Sequence, residues 1–183
     1  DFHLATGQSP AGEGNRKRTD HRAVRDHWVL STGSLSWEAL APIPTPRNSG
    51  TGGWLGDQFV VTGGRTDKGN LAVTEIYDLR EDRWRTAAPM PQPQAGTASV
   101  VVDNSLWVFG GEIFIPEASV FAQCWRYDLT TDQWLALPNM RTPRHGLGAG
   151  QLGDSVYLIG GATEPSGRGT SDLNEALLLS SVT

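Results

Sequence analysis

Seven polar side chains are the candidates in this 183-residue sequence for binding an anion or transferring a proton. Three are arginines, whose planar guanidinium groups match the geometry of a carboxylate. A glutamate or histidine beside an arginine could act as a general acid–base pair. The seven residues are Arg47, Asn48, Arg65, Gln94, Glu112, Arg144 and His145. Whether they act together depends on the elements that position them.

The elements around these residues belong to a repeated segment. An apolar run that ends in two glycines occurs three times, at residues 59–64, 106–111 and 156–161, and Leu4-Ala5-Thr6-Gly7 is a degraded copy. A proline stands seventeen residues before the first glycine of each complete copy, at Pro46, Pro93 and Pro143. A period of about 50 residues indicates a repeat architecture.

Aromatic residues follow the same period. Tyr77 and Tyr127 are each followed by Asp and, seven residues after the tyrosine, by Trp84 and Trp134. Leu30 and Trp37 keep that spacing in an earlier unit, and Leu177 takes the tyrosine position in the last one. We interpret the aspartates of these segments as β-turn residues, because the glycine and terminal glutamate of a calcium loop are missing.

These motifs resemble kelch repeats, and the resemblance covers the chain except for residues 8–26. The sequence is especially similar to the bacterial kelch proteins often labelled galactose-oxidase-like, for which the run Pro143-Arg144-His145-Gly146-Leu147-Gly148 is typical. The resemblance implies an all-β fold, a β-propeller in which each repeat forms one four-stranded antiparallel blade.

The register predicts about three and a half blades. Blade I spans 1–42, lacks its innermost strand and contains a loop at 8–26; blade II spans 43–90, blade III 91–140, and blade IV 141–183 without an outermost strand. A ring of six, possibly seven, blades is typical of the family, and one blade is often closed by strands from both termini. We therefore expect the C-terminal half of a longer protein, with the other blades supplied by missing N-terminal residues or by a second copy.

Two predictions concern packing inside the blades. The second strands are apolar on consecutive residues, which indicates burial on both faces, and the innermost strands are rich in small residues because space near a propeller axis is limited. The paired glycines require either an aromatic ring packed on the backbone, which the resemblance favours with Tyr77 or Trp84 as the ring, or a positive φ. The structural motif residues are Gly63, Gly64, Gly110, Gly111, Gly160, Gly161, Tyr77, Tyr127, Trp37, Trp84 and Trp134.

Residues 15–27 carry five basic and two acidic side chains. They could contact an anion or nucleic acid or act as a nuclear-import signal, but we favour a solvated insertion. The pairs Asp20-His21 and Asp26-His27 supply too few ligands for a metal site. The net charge of −5 also argues against a nucleic-acid partner.

In an antiparallel blade, the start of the innermost strand and the end of the second strand lie on one rim. All seven polar residues are predicted there, and the resemblance implies that this rim binds a protein, a peptide or a carbohydrate without a cofactor. Alternatively, Arg47 and Arg144 are structural and connect the loops of adjacent blades.

Two enzymatic activities of related kelch proteins can be compared with these residues. Galactose oxidase needs copper and a Cys–Tyr crosslink, whereas the three tyrosines here occupy blade-core positions and Cys124 is the only cysteine. A sialic-acid mutarotase would need an acid–base pair, for which Glu112 or His145 with Arg65 or Arg144 could serve. We expect a binding or scaffold module, with the carbohydrate isomerase as the alternative.

The sequence has no apolar run near the roughly 20 residues of a membrane helix. It begins with aspartate rather than methionine, so targeting cannot be read from it; family resemblance favours a periplasmic or secreted protein.

Overall fold

The computed structural model describes residues 1–14, 16 and 20–182. Over these residues the fold is built from antiparallel sheets, and the last strand is followed by a 3-10 turn at Leu179–Ser181. Within the same residues there is no helix with the length and apolarity that a membrane span requires. The predicted all-β fold class is confirmed.

Two sheets have four main strands in sequence order from the inside outwards. Sheet II contains β6 (Asn48–Leu55), β7 (Gln58–Thr66), β9 (Thr74–Asp78) and β10 (Arg83–Ala87). Sheet III contains β11 (Ala98–Val102), β12 (Ser105–Phe109), β15 (Cys124–Asp128) and β16 (Gln133–Leu137). Trp84 pairs with Tyr77 and Trp134 pairs with Tyr127 across the two outermost strands. The two repeats therefore have the same register.

The flanking sheets have three strands each in the described chain. Sheet I has the order β1 (Phe2–Ala5), β4 (His27–Leu30), β5 (Trp37–Ala39), and sheet IV has the order β17 (Gly148–Leu152), β18 (Ser155–Ile159), β19 (Asn174–Leu178). Comparison with sheets II and III assigns the unfilled positions: sheet I has no strand on the inner side of β1, and sheet IV has none on the outer side of β19.

The segment predicted as a loop at 8–26 contains a hairpin instead. Its strands are β2 (Gln8–Pro10) and β3 (His21–Ala23), which pair with each other. The loop prediction is wrong because the backbone at the base of this hairpin is bound to sheet II: Arg47 N–H donates to Val24 C=O, and Gly7 N–H donates to Arg47 C=O. Lys17 and Arg18 of the basic segment lie outside the described residues.

Short strands also occur in two of the variable loops. β8 (Gly69–Asn70) pairs with the end of β7, and β13 (Glu112–Ile113) pairs with β14 (Ser119–Val120). They extend the loops of sheets II and III beyond the four-stranded core, so the Gly-Gly ends of the second strands continue into hairpins.

Consecutive sheets face each other around their innermost strands. β6 contacts β11, and β11 contacts β17. An apolar cluster fills each interface: Val61 and Tyr77 face sheet I, Val60 and Ile76 pack on Leu106 and Tyr127 of sheet III, and Trp107 and Phe109 pack on Val156 and Leu158 of sheet IV. This order of faces is that of a propeller.

Burial on both faces, as predicted for the second strands, occurs in β12, of which every residue is buried, and in the centre of β7. In β18 burial alternates and Ile159 is 55% exposed. The difference arises because no further sheet of the described chain covers the outer face of sheet IV.

The small residues of β6 are required by close packing, whereas in β17 a Cβ on Gly150 would meet nothing within 4 Å. A Cβ on Gly52 would lie 2.2 Å from the carbonyl oxygen of Val60, and one on Gly53 would lie 2.7 Å from Val101 of the next sheet. β11 and β17 begin at Ala98 and Gly148, two residues after Gly96 and Gly146, whose positive φ interrupts an extended strand.

Candidate functional site

The paired glycines connect one sheet to the next through their backbone. Gly63 and Gly110 have φ values of 64° and 63°. The next residue of each pair donates its N–H across the interface, Gly64 to Gln94 C=O and Gly111 to Arg144 C=O, both at 2.8 Å. A Cβ on Gly110 would lie 2.3 Å from that Arg144 oxygen. The predicted aromatic ring on the glycines is therefore wrong: a backbone carbonyl occupies that space, and the alternative, a positive φ, is what the structure has.

Arg47 lies inside sheet II and not on the rim surface. Its side chain is fully buried, and Nη1 donates to the carbonyl oxygens of Gly63 at 3.1 Å and Val73 at 2.9 Å. Nη2 forms an ion pair with Glu75, whose other oxygen accepts a hydrogen bond from Thr45 Oγ1 at 2.9 Å. Burial lowers the pKa of Arg47, and Glu75 counteracts that effect. We call this set the Arg47 network.

Arg144 repeats the arrangement in sheet IV. Its Nη1 donates to the carbonyl oxygens of Gly160 at 2.8 Å and Leu173 at 3.1 Å, and Nη2 donates to Glu175 Oε1 at 3.1 Å. Glu75 and Glu175 stand two residues before Tyr77 and Leu177, the equivalent repeat positions. The two arginines therefore have a structural role, as in the alternative interpretation, but their side chains connect segments of one sheet rather than adjacent blades.

Gln94 occupies the same position in sheet III and has a neutral partner. Its Nε2 donates to the Gly110 carbonyl at 2.8 Å, and its Oε1 accepts from Trp125 Nε1 at 2.7 Å. Trp125 stands where Glu75 and Glu175 stand in the other sheets. We call this set the Gln94 network. Gln94 is fully buried, so three of the seven predicted rim residues, Arg47, Gln94 and Arg144, are not placed to contact a ligand.

Three of the other four residues, Asn48, Arg65 and Glu112, line an open pocket. Arg65 Nη1 donates to Glu112 Oε1 at 2.7 Å, and the guanidinium lies 4.9 Å from the ring centre of Phe114. Glu112 Oε2 accepts the Ser166 N–H at 2.8 Å and lies 3.6 Å from His145 Nε2. Glu112 is 3% exposed. One carboxylate thus connects side chains and backbone from sheets II, III and IV.

The pocket has a volume of about 500 Å³. Its walls come from the hairpin and from the loops of sheets II, III and IV, and include Gln8, His21, Asn48, Arg65, Phe114 and Ser166. Arg65 Nε is buried without a hydrogen-bond partner. We refer to this feature as the rim pocket. His145 does not line the rim pocket, and its Nε2 also lies 3.0 Å from the Glu164 carbonyl oxygen.

Sequence reasoning missed the contribution of the hairpin to the rim pocket. β2 and β3 have three residues each, and their polar composition hides the pairing. The contacts that hold the hairpin to Arg47 are made by the backbone groups of Gly7 and Val24, so the side-chain pattern of the sequence carried no signal for it.

The turn aspartates bind the preceding sheet. Asp82 accepts the Ala41 N–H at 2.9 Å and the Tyr77 hydroxyl at 2.8 Å, and Trp84 Nε1 donates to Ala41 C=O at 2.7 Å. Asp132, Tyr127 and Trp134 repeat these contacts at Ala88. We call each set an Asp–Trp contact. Hydrogen bonds from Tyr127 and Ala88 lower the pKa of Asp132, and burial raises the pKa of Tyr127.

Trp37 does not make this contact. Its side chain is 51% exposed, because the described chain has no sheet before sheet I against which it could pack. The remaining tryptophans of the motif, Trp84 and Trp134, make the contact through their indole N–H groups.

The described residues contain no cluster of three or more His, Cys, Asp or Glu side chains that could hold a metal ion. His3 Nδ1 and His27 Nε2 lie 3.0 Å apart, and the buried His27 ring packs against Tyr77 and Trp84. Cys124 is buried, which raises the pKa of its thiol to about 11. The pair and the thiol belong to the interfaces between sheets and not to the rim pocket.

Comparison with protein families gives a match over residues 12–174 to the model described as the KLHDC2/KLHL20/DRC7 Kelch-repeats domain. The chain belongs to the kelch-repeat family. The four sheets can therefore be called blades I to IV.

Several animal proteins are similar to this kelch chain. Beta-scruin of Limulus polyphemus is 33% identical over 90 residues, which are 49% of this chain and 10% of that protein. Kelch-like protein 15 of Homo sapiens is 32% identical over 76 residues, 42% of this chain and 13% of that protein. Kelch-like protein 41b of Danio rerio is 28% identical over 95 residues, 52% of this chain and 16% of that protein. The matched segments thus span less than a fifth of these relatives, and the matches do not support a closer likeness to bacterial galactose-oxidase-like proteins.

Proposed function

We propose that this kelch chain is a binding module that holds a segment of a protein ligand in the rim pocket. The proposal is supported by one observation above all: the hairpin and the loops of blades II, III and IV all contribute to this pocket, and Glu112 connects three of these blades beneath it. A site assembled from several blades has its walls fixed by the propeller itself.

The chemistry of the pocket fits a polypeptide segment, which can also meet Arg16 of the hairpin, better than an isolated anion. Of the three arginines that led to an anionic ligand, Arg47 and Arg144 are buried with glutamate partners, and the charge of Arg65 is paired with Glu112. Asn48 and Gln8 offer side-chain amides for the backbone of an extended peptide, and Phe114 offers an apolar surface.

A peptide library displayed on phage and selected on the 183-residue chain tests the proposal. Selected peptides should lose at least tenfold in affinity for Phe114→Ala and Asn48→Ala, and retain it for Leu135→Ala, a matched control on the exposed outer strand β16. Equal binding to all three variants would place the ligand elsewhere and overturn the proposal.

Among the pairs that the isomerase alternative names, Glu112 or His145 with Arg65 or Arg144, the structure brings Glu112 and Arg65 into contact at 2.7 Å. Glu112 already accepts two hydrogen bonds from Arg65 and Ser166, so its proton-transfer capacity is limited. An anomerisation assay on N-acetylneuraminate, followed by NMR, should give only the uncatalysed rate. A rate that is lost in Glu112→Gln and kept in Leu135→Ala would favour the enzyme.

We also propose that further blades cover the two open faces of the partial propeller. Phe2 is 66% exposed on blade I, and Ile159 is exposed on blade IV, which leaves apolar surface uncovered on both sides. Light scattering on the 183-residue chain distinguishes a second copy, which gives twice the monomer mass, from blades supplied by other residues of a six- or seven-bladed ring, for which this chain stays monomeric.

A further inference from the structure

A cavity lies between blades III and IV, at the end of the sheets opposite to the rim pocket. It adjoins the turn between β11 and β12, whereas the rim pocket adjoins the residues that follow the glycine pairs. Its volume is about 320 Å³, at the lower end of the range for small-molecule sites. Blade III and the 3-10 turn of blade IV both contribute to its wall, which includes Val102, Ser105, Trp107, Arg126, Leu179 and Val182. We call this feature the interblade cavity.

Two buried N–H groups in the wall of the interblade cavity have no hydrogen-bond partner. Trp107 and Arg126 pair directly across β12 and β15, so their side chains lie on the same face of sheet III. Trp107 is only 5% exposed, yet neither its Nε1–H nor the buried Nε–H of Arg126 has an acceptor among the described residues. Buried N–H groups are normally paired, so these two favour a bound atom that accepts hydrogen bonds.

The equivalent residues of blade II show that packing between blades does not require these donors. Val60 and Ile76 pair in the same register, are buried, and belong to the apolar cluster between blades II and III. Trp107 and Arg126 occupy the same positions in blade III and bring two N–H donors into the corresponding interface. The donors are therefore a feature of the interblade cavity and not of the repeat.

The charges around the cavity favour an uncharged ligand. Arg126 Nη2 lies 3.8 Å from Asp128 Oδ2, and Asp103 also lines the cavity. Two carboxylates thus oppose the guanidinium charge, and they would repel a bound carboxylate. Val102 and the two residues from the end of blade IV give the wall an apolar surface. The chemistry that fits is an apolar body with a neutral hydrogen-bond acceptor.

We propose that the interblade cavity binds a small, uncharged, apolar molecule that carries a carbonyl oxygen, such as a cyclic ketone. A carbonyl oxygen has two lone pairs, so one oxygen can accept from both Trp107 Nε1–H and Arg126 Nε–H. The side chain of Arg126 is 35% exposed, so the ligand can enter beside it. The cavity shares no lining residue with the rim pocket, and this inference is therefore independent of the ligand proposed there.

Three probes that share one ring system test the proposal: 1-indanone has the carbonyl oxygen, indane lacks it, and indane-1-carboxylate carries a charge. Titration of 1-indanone into the 15N-labelled 183-residue chain should shift the indole N–H signal of Trp107 in a saturable manner, with a Kd near or below about 1 mM. The Trp107→Phe variant identifies this signal by its absence. Indane and the carboxylate should each bind at least tenfold more weakly.

Two conservative variants test the donors themselves. Trp107→Phe keeps an apolar ring and removes one N–H, and Arg126→Lys keeps the charge beside Asp128 and removes the other. Each should weaken the binding of 1-indanone at least threefold, followed through the backbone amide signals of Leu179–Ser181. Trp37→Phe, a matched control at an exposed tryptophan of blade I, should bind as the unmodified chain does.

Four outcomes would overturn the proposal. The absence of a saturable shift at about 5 mM 1-indanone would show that water alone satisfies the two donors. Equal binding of indane would exclude the carbonyl contact, and tighter binding of the carboxylate would make the cavity an anion site. Unchanged affinity in both Trp107→Phe and Arg126→Lys would place the ligand elsewhere.

Discussion

Blades II and III bind the carbonyl oxygen of the first glycine of the pair with different side chains. In both, the residue after a proline binds the carbonyl of the first glycine, but blade II uses the buried ion pair Arg47–Glu75 and blade III the neutral pair Gln94–Trp125. A buried ion pair is costly to desolvate, and breaking it leaves one uncompensated charge. The residue after the proline, Arg47 or Gln94, therefore supports the glycine turn. Where it is charged, it is paired with an opposite charge.

The largest expected effect comes from breaking the charged pair. Arg47→Gln leaves Glu75 buried with Thr45 as its remaining side-chain partner, and should lower the free energy of unfolding by about 3–5 kcal/mol, measured by urea denaturation. The double variant Arg47→Gln/Glu75→Trp copies blade III and should regain more than half of that loss. A cost below about 1 kcal/mol for Arg47→Gln alone would contradict the comparison.

A pH experiment extends the comparison to the interface of blades I and II, which holds neutral imidazoles. Burial lowers the pKa of His27 to about 4, and burial also lowers that of His3. The negative charge of Asp82 raises the pKa of His27 and so opposes the effect of burial. The unfolded chain binds the proton below about pH 6.5 and the folded chain does not, so stability is full above pH 6.5 and falls as the pH drops toward 4.

The expected loss for His27 is about 3 kcal/mol between pH 6.5 and pH 4. Urea midpoints measured at half-unit intervals should show it, and His27→Gln should have a much flatter profile in the same window. Identical slopes for the two proteins would show that other groups cause the acid sensitivity.

The neutral pair of blade III should be less costly to break. Gln94→Ala removes the partners of the Gly110 carbonyl and the Trp125 N–H without leaving a buried charge, so we expect a loss of about 1–3 kcal/mol. Thermal and urea unfolding of this variant beside Arg47→Gln gives the difference between their unfolding free energies. A larger loss for Gln94→Ala than for Arg47→Gln would show that the charged pair is not the more costly one to break.

The smallest expected effect is a difference between two glycine variants, which separates backbone strain from contact between blades. Gly110→Ala and Gly160→Ala share a φ near +65°, but a Cβ at Gly110 meets the Arg144 carbonyl oxygen at 2.3 Å, whereas at Gly160 the nearest atom is 3.6 Å away. Both substitutions should lower the free energy of unfolding by about 1–2 kcal/mol, because alanine is strained at this positive φ. Gly110→Ala should lower it by at least about 1 kcal/mol more, because its Cβ also meets the Arg144 carbonyl oxygen. Equal losses for the two variants would show that this interblade contact does not contribute.

Much of the fold could be predicted because repetition makes the same evidence appear several times. The Tyr–Trp spacing fixed the register of β9 with β10 and of β15 with β16, and the apolar runs located β7, β12 and β18. The hairpin β2–β3 occurs once and has no counterpart in the other repeats, so periodicity gave no information about it.

The candidate site was predicted less well for a related reason. A repeat places Arg47, Gln94 and Arg144 at one position, but it does not reveal whether the side chains point to solvent or into the sheet. Their partners Glu75, Trp125 and Glu175 vary together with them, and this internal covariation was the available signal. Arg65 and Glu112 form a contact between blades II and III, and the sequence placed both on the rim and offered them as one of several acid–base pairs.

The backbone of Arg47 has a consequence for mutational surveys of ligand binding. Its N–H and C=O bind Val24 and Gly7, the residues from which the hairpin over the rim pocket extends. A substitution that disturbs this interior residue would shift a wall of the pocket and weaken binding from a distance. An alanine scan scored by affinity alone would rank a residue that the ligand never touches among its contacts, so each loss of binding at this position has to be weighed against a measurement of folding.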